Sequence, residues 1–280
     1  MSTTFQTIVR LRSEETGGEV ALVENLVPPG WGGPPLHHHA FDEAFYVLAG
    51  RLTFQLGDEL ATAGPGTVVF APGGSVHTLA NLGHEPARYL LLCTPAGFER
   101  YFDRIAAEAA GAAPPSSAAG PVPETIVVGP QLGERDDLHR ARELAPAGGP
   151  VTVHVRGAES AGRMALMENV ARPGFGPALH HHGFDELFVV LDGEVTFQLG
   201  DERLIRRAGE HAFAPRGVHH TFANLSGADA RMLIVCTPAG FEGYFARIAA
   251  RIEGVDPPEW ALAPTPAVIT VGPPIGGEVR

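Results

Sequence analysis

The spacing of apolar and polar positions along this chain predicts short strands far more often than helices. In the first half, AFYVLAG (44–50), RLTFQLG (51–57), GTVVFAPG (66–73) and ARYLLLCT (87–94) are rich in aromatic and β-branched residues. Each is bounded by Gly, Pro, Asn or Asp, the residues that end strands and make turns. A helical period appears once per half. Phe98, Tyr101, Phe102 and Ile105 fall at i, i+3, i+4 and i+7, which predicts a helix over about 95–110. Thr94 is placed to cap it and Pro95 to fit its first turn. Phe241, Tyr244, Phe245 and Ile248 repeat the stripe after Thr237, over 238–253. Both stripes are expected to pack against the strands. Tail segments 122–134 and 265–277 are expected to add edge strands.

The chain repeats itself. FQLGDE occurs at 54–59 and 197–202, and CTPAGFE at 93–99 and 236–242, both 143 positions apart. The Pro- and Ala-rich stretch 110–125 lies inside a repeat, ahead of its tail. Upstream of the histidines the offset becomes 144, since Glu24-Asn25 matches Glu168-Asn169, so the first half holds one extra residue between Asn25 and His37. A period this long means duplicated domains, about 1–139 and 140–280. Many short strands and one closing helix per repeat suggest an all-β architecture with minor helix, two tandem jelly-roll barrels over about 5–95 and 150–238.

Composition narrows the chemistry. The 35 glycines and 25 prolines suit strands joined by many turns. A net charge of -12 disfavours nucleic acid as a partner. All 20 basic residues are arginine, which excludes Schiff-base or lysine general-base chemistry and hints at a GC-rich bacterial genome. Cys93 and Cys236 sit in apolar runs and read as buried, inert thiols. The first residues lack a signal-peptide core, and no run of 18 apolar residues exists, so no membrane span and a cytoplasmic location are expected.

One constellation stands out: His37-His38-His39, Glu43 and His77 in the first half, and His180-His181-His182, Glu186 and His220 in the second. Imidazole and carboxylate are ligands for first-row divalent metals. Positions i and i+2 of a strand share a face, so His37 and His39 can converge while His38 points elsewhere. Glu43 shares their parity but lies four residues on, ~13 Å along a straight strand, so the backbone must bend near Ala40–Asp42. Gly183 stands where such a bend would help in the second half. Around the later histidines, Gly66, Pro72, Gly74 and Asn81, and Gly209, Pro215, Gly217 and Asn224, mark a turn that delivers His77 and His220. His38 and His181 read as surface groups or supports, and His84, His139, His154 and His211 as solvated.

These residues resemble the two motifs of the cupin superfamily, and their duplication resembles a bicupin. The first motif, G-x5-H-x-H-x3,4-E-x6-G, runs from Gly174 to Gly193 in the second half. The first half matches from His37 to Gly50, with Trp31 where the leading glycine is expected. The second motif, G-x5-P-x-G-x2-H-x3-N, is complete in both halves. The resemblance implies one divalent transition metal (Fe, Mn, Ni, Co, Cu or Zn) per barrel, with His37, His39, Glu43 and His77, and His180, His182, Glu186 and His220, as ligands. It implies a pseudo-two-fold pair of barrels within the chain, and further self-association as a homodimer stays open.

The run HHHxFDExFxVLxGxxTFQLGDE, followed by CTPAGFExYF, is most similar to the quercetin 2,3-dioxygenase-like group. That implies O2-dependent cleavage of a small aromatic or enolisable substrate, with Glu43 and Glu186 as candidate proton acceptors. Phe45 and Val47, with Phe188 and Val190, share the glutamates' inward parity and predict an apolar wall, to which Phe41, Phe54, Phe70, Phe184, Phe197 and Phe213 are candidates to add. Other cupins with such sites are isomerases, decarboxylases, lyases or cyclases, and a non-enzymatic small-molecule binder is a third class. The halves differ at His219, which faces Val76 in the first half and is expected near the rim of the second site as a proton relay.

Overall fold

The computed structural model describes residues 4–135, 138, 141–146 and 149–276. The chain divides into two units, residues 1–147 and 148–280. The first contains β1 (Gln6–Leu11), β2 (Ala21–Val27), β3 (Pro35–His39), β4 (Asp42–Ala49), β5 (Leu52–Leu56), β6 (Glu59–Ala63), β7 (Val68–Ala71), β8 (His77–Ala80), β9 (Ala87–Thr94), helix α1 (Glu99–Ala109), β10 (Thr125–Gln131) and β11 (Arg142–Leu144). Its sheets have the orders β1-β2-β9-β4-β7 and β10-β3-β8-β5-β6-β11. The second contains β12 (Val151–Val155), β13 (Ala165–Ala171), β14 (His180–His182), β15 (Asp185–Asp192), β16 (Glu194–Leu199), β17 (Glu202–Arg207), β18 (His211–Ala214), β19 (His220–Ala223), β20 (Ala230–Thr237), helix α2 (Glu242–Glu253) and β21 (Val268–Thr270). Its sheets run β12-β13-β20-β15-β18 and β17-β16-β19-β14-β21. Each unit is therefore the expected two-sheet jelly roll, mostly β with one α-helix.

The apolar faces of the two sheets meet inside each unit. Val23, Phe45, Val47 and Leu91 from one sheet pack with Leu52, Phe54 and Leu79 from the other, and Phe188, Val190 and Ile234 pack with Val195, Phe197 and Phe222 in the second unit. Burial of each such side chain contributes roughly 1.5–3 kcal/mol.

Several expectations are corrected. Strand β11 pairs in parallel with β6, from Arg142↔Ala61 to Leu144↔Ala63, so the first unit runs past residue 139. The helices begin later than Thr94 and Thr237, which instead end β9 and β20 in register with Asp42 and Asp185. Thr94 donates its hydroxyl to Glu19 O at 2.7 Å rather than to a helix end. The first turn is tied by its own glutamate: Glu99 accepts the N–H groups of Gly97 (2.6 Å) and Ser13 (3.1 Å). Glu242 does the same for Gly240 and Gly157. A carboxylate near a helix N-terminus also complements its dipole.

Trp31 is not the counterpart of Gly174. Trp31 O accepts Asn81 N–H, as Phe175 O accepts Asn224 N–H, each at 2.9 Å. Gly30 thus matches Gly174, and both have positive φ, at 68° and 78°. The extra residue of the first half is Gly32, between this turn and Gly33, where a Cβ would stand 1.7 Å from Leu79 O. Only glycine permits so close a backbone approach. The motif glycine was present all along, one position earlier.

Candidate metal centres

The bend required between His39 and Glu43 is a change of sheet. Strand β3 ends at His39, residues 40–41 turn, and β4 starts at Asp42 in the opposite sheet. Gly183 is not needed for the equivalent turn: its φ is ordinary and a Cβ would meet nothing within 4 Å. Asp42 ties the turn to the loop that delivers His77, accepting Gly73 N–H at 2.6 Å, while Gly74 N–H donates to His39 O. In the second unit Asp185 accepts Arg216 N–H at 2.6 Å and also binds its guanidinium at 2.7 Å. Asn81 closes the far side of the loop, donating to Pro28 O and Glu85 O.

The result is two four-residue clusters: His37, His39, Glu43 and His77, and His180, His182, Glu186 and His220. Within each, one ligand atom per residue lies within 4.8 Å of all the others. Each histidine donates its Nδ1–H to a backbone carbonyl two residues away: Pro35 (2.7 Å), Phe41 (2.9 Å) and Ser75 (2.9 Å) in the first unit. Ala178, Phe184 and Val218 serve in the second. A carbonyl can only accept, so Nδ1 carries the proton and Nε2 turns its lone pair to the cluster centre. This is the tautomer a metal needs. Phe41 and Phe184 lie flat on His39 and His182, with centroids 3.5 and 3.6 Å apart.

Electrostatics agree with that reading. Burial alone would raise the Glu43 carboxyl, but the His39 and His77 imidazoles that face it outweigh burial and hold it at about 2. Glu186 is held at about 2 in the same way. Burial pulls His77 and His220 down, but the facing carboxylates, each 2.9 Å away, raise both on balance. Burial lowers His37 and His180. His39 Nε2 is buried without a hydrogen bond, although Glu43 Oε2 is 3.3 Å away. Ionised carboxylate, converging imidazole lone pairs and an orphaned ring nitrogen together fit a divalent transition metal in each unit.

Each cluster opens into a cavity. The first, about 610 Å³, is lined by His37, Glu43, Phe45 and Tyr89, and by the helix stripe Phe98, Tyr101, Phe102 and Ile105. The second, about 630 Å³, is lined by His180, Glu186, Phe188 and Phe222, and by Phe241, Tyr244, Phe245 and Ile248. The helix stripes therefore form cavity wall, which sequence periodicity had assigned to packing alone. The tails complete the wall. Strand β10 pairs with β3 (Thr125↔His39, Val127↔His37) and β21 with β14, within the same unit in each case.

Of the predicted pocket residues, Phe45 and Phe188 line the cavities. Val47, Phe54, Val190 and Phe197 do not; they are at most 1% exposed and fill the core between sheets. Inward parity places a side chain inside the barrel, but position along the strand decides whether it meets cavity or core. His219 is likewise displaced from its expected place. As the neighbour of inward-facing His220 it points to the other face, where it is exposed and its ring lies tilted against His181, 5.1 Å between centroids. His154 is not solvated: it lies 3.1 Å from Glu168, which Arg231 also binds. His139 lies outside the described residues. Cys93 and Cys236 are buried, and burial pushes both thiols up. No helix among the described residues is long and apolar enough to cross a membrane.

A family model described as a cupin domain matches the chain twice, over residues 24–93 and 169–236. No curated protein sequence matches it. Among solved structures, Bacillus subtilis oxalate decarboxylase at pH 4.6 is similar over 85% of this chain and 77% of that one, at 16% identity and a TM-score of 0.55. A structure used to assign the Mn(II) centres of the same enzyme by EPR covers 85% and 78%, at 17% identity and 0.56. An oxalate decarboxylase studied for proton-coupled electron transfer gives 85%, 78%, 16% and 0.58. At these identities the likeness is one of fold.

Proposed function

Taking as premise that the chain belongs to the cupin superfamily and carries two cupin domains, we propose that it is a metal-dependent dioxygenase for a small aromatic or enolisable substrate. His37, His39, Glu43 and His77 would hold one divalent metal, and His180, His182, Glu186 and His220 the other. One observation carries the substrate class: an aromatic-walled cavity of about 610 Å³ opens directly onto His37 and Glu43. That volume suits a compound of one to three rings. Among the described residues no arginine lines either cavity. A small dianion such as oxalate would have the metal alone, and no cationic side chain, to offset the hydration it loses there.

When bound, the metal supplies Lewis acidity toward a substrate hydroxyl or enol oxygen and redox capacity toward O2. The chain's own groups supply the rest. Phe45, Phe98 and Tyr101 flank the ring and exclude water. The backbone-anchored imidazoles keep their orientation without the substrate's help. Glu43 is ionised at neutral pH and is the proton acceptor for the substrate hydroxyl. A carboxyl held at about 2 is a weak base in place, so it takes the proton as it moves off the histidine nitrogens.

The test is oxygen uptake by metal-loaded protein offered flavonols and polyketide-like phenols, with metal content counted per chain. One O2 consumed per substrate cleaved is the expected result. Product formed with no oxygen consumed would sink the dioxygenase reading in favour of isomerase, lyase or cyclase chemistry at the same site.

A further inference from the structure

The two cavities share their histidine end and differ at a row further along the barrel. In the first unit the row crosses three strands as Thr7, Asn25 and Tyr89. In the second the same register positions hold Val151, Asn169 and Met232. Tyr89 is 3% exposed and lines the first cavity, and its hydroxyl bonds no other described residue. Asn25, fully buried beside it, accepts the Thr7 hydroxyl at 2.6 Å, and its Nδ2 has no partner. Asn25 Nδ2 is thus buried without a partner, a costly arrangement, while Tyr89 lines the cavity and its hydroxyl is left for what enters it. The second unit pairs its Asn169 with apolar neighbours and has no hydroxyl at either flanking position.

Tyr89 precedes Cys93 by four residues on the same face of β9, ~13 Å along the strand. Cys93 Sγ stands 4.0 Å from Glu43 Oε1, and the Phe45 ring lies between the two groups, 6.0 Å from Tyr89 and 6.4 Å from His77, so phenol and cluster flank one stretch of the same cavity. Burial, reinforced by Glu43, pushes the Tyr89 phenol up, so it remains a donor at every working pH.

We propose that Tyr89 selects the ligand of the first cavity: an elongated aromatic compound with a hydroxyl at the histidine end and a hydrogen-bond acceptor, such as a ketone, at the other. In the second unit Met232 is fully buried in the core, and Val151 and Asn169 line the cavity there, so no phenolic donor stands at that end. This inference rests on the aromatic-substrate reading above and adds to it that the two sites bind different ligands.

The full chain, loaded with Mn(II) and kept anaerobic, is titrated calorimetrically with 4-phenylphenol and with 4-acetyl-4′-hydroxybiphenyl. The ketone is expected to bind one site per chain more tightly than the phenol does. Tyr89→Phe, which keeps the ring, is expected to weaken the ketone by roughly three- to tenfold, the range of one hydrogen bond, and to leave 4-phenylphenol within about twofold. Met232→Leu is expected to change neither. In the unaltered protein the bound ketone's carbonyl stretch is expected below that of the free compound, independently of any variant's folding. Equal loss of both probes in Tyr89→Phe, an unchanged ketone affinity, an unshifted carbonyl, or no binding of either probe overturns the inference. Oxygen is excluded from every arm, so a failure of oxygen uptake would defeat the dioxygenase reading and leave this result in force.

Discussion

The two units carry the same ligand cluster and surround it differently. His77 and His220 each stand 2.9 Å from their glutamate, and His39 and His182 stand 3.3 and 3.2 Å from theirs. The walls have diverged. Phe5 and Trp31 pack 5.7 Å apart near the first histidines, where the second unit offers Gly149 and Phe175. Leu79 becomes Phe222, and the place of Tyr89 is taken by Met232, which is buried in the core while Asn169 lines the second cavity. On the first sheet, Glu24 pairs with Arg10 at 2.7 Å and Arg88 at 3.7 Å, whereas its counterpart Glu168 pairs with His154 at 3.1 Å and Arg231, so the difference is Arg10 against His154. Metal coordination tolerates shifts of only a few tenths of an ångström, so four donors must be kept together. A cavity wall has only to exclude water and match its ligand. Within one duplicated chain, the positions that differ around a constant cluster are the ones at which to test for a difference in ligand preference.

The largest expected effect tests whether the clusters are independent. His77→Ala and His220→Ala should each lower metal content from about two to about one per chain, since three remaining donors with an added cavity hold the ion poorly. Elemental analysis reads this directly. If either substitution empties both sites, the units cannot be treated as separate centres.

Next in size is the boundary between core and cavity. Phe54→Ala and Phe197→Ala should each cost about 3–5 kcal/mol in chemical denaturation, the usual range for a fully buried phenylalanine. A small stability loss with altered ligand binding would return both residues to the cavity wall.

This boundary is also where sequence reading ran out. The eight clustered residues were legible because their types are rare together and their spacing repeats at one offset. The strands were legible because turn residues bracket them. Parity, however, gives Phe45 and Val47 the same direction, and nothing local says that one meets the cavity and the other the core. Thr94 has the composition of a helix cap, but its strand partner Asp42 lies 52 positions away and claims it. His154 looked solvated because Glu168 and Arg231 reach it only through strand pairing. The leading glycine was misplaced because a one-residue insertion shifted the alignment by one.

A smaller effect separates the sheet-face ion pairs. Burial would raise Glu168, but His154 and Arg231 outweigh it and hold its carboxyl below the ordinary range. A depressed carboxyl stabilises the fold above its unfolded value and loses that contribution as pH falls through the folded one. Glu168→Gln should therefore destabilise by about 1–2 kcal/mol at pH 7, and the deficit should shrink below about pH 4.5. Thermal melts across that range check the slope. A deficit that grows on acidification would reverse the assignment.

The smallest effect concerns the helix faces. Tyr101 and Tyr244 are 43% and 45% exposed, yet each lines its unit's cavity. Tyr101→Ala and Tyr244→Ala should shift stability by no more than about 0.5 kcal/mol while raising KM for an aromatic substrate. Unchanged KM in both would confine binding to the strands.

The pairing of β10 with β3 also sets an order of maturation during synthesis. On its β8 side, β3 is held by a single matched pair, His37↔His77, whereas β10 covers it from Pro35 to His39. Those covering residues leave the ribosome long after the histidines. Until translation has passed Gln131, the strand bearing two of the first cluster's imidazoles has one flank bare, and a cation arriving earlier meets a half-built cradle.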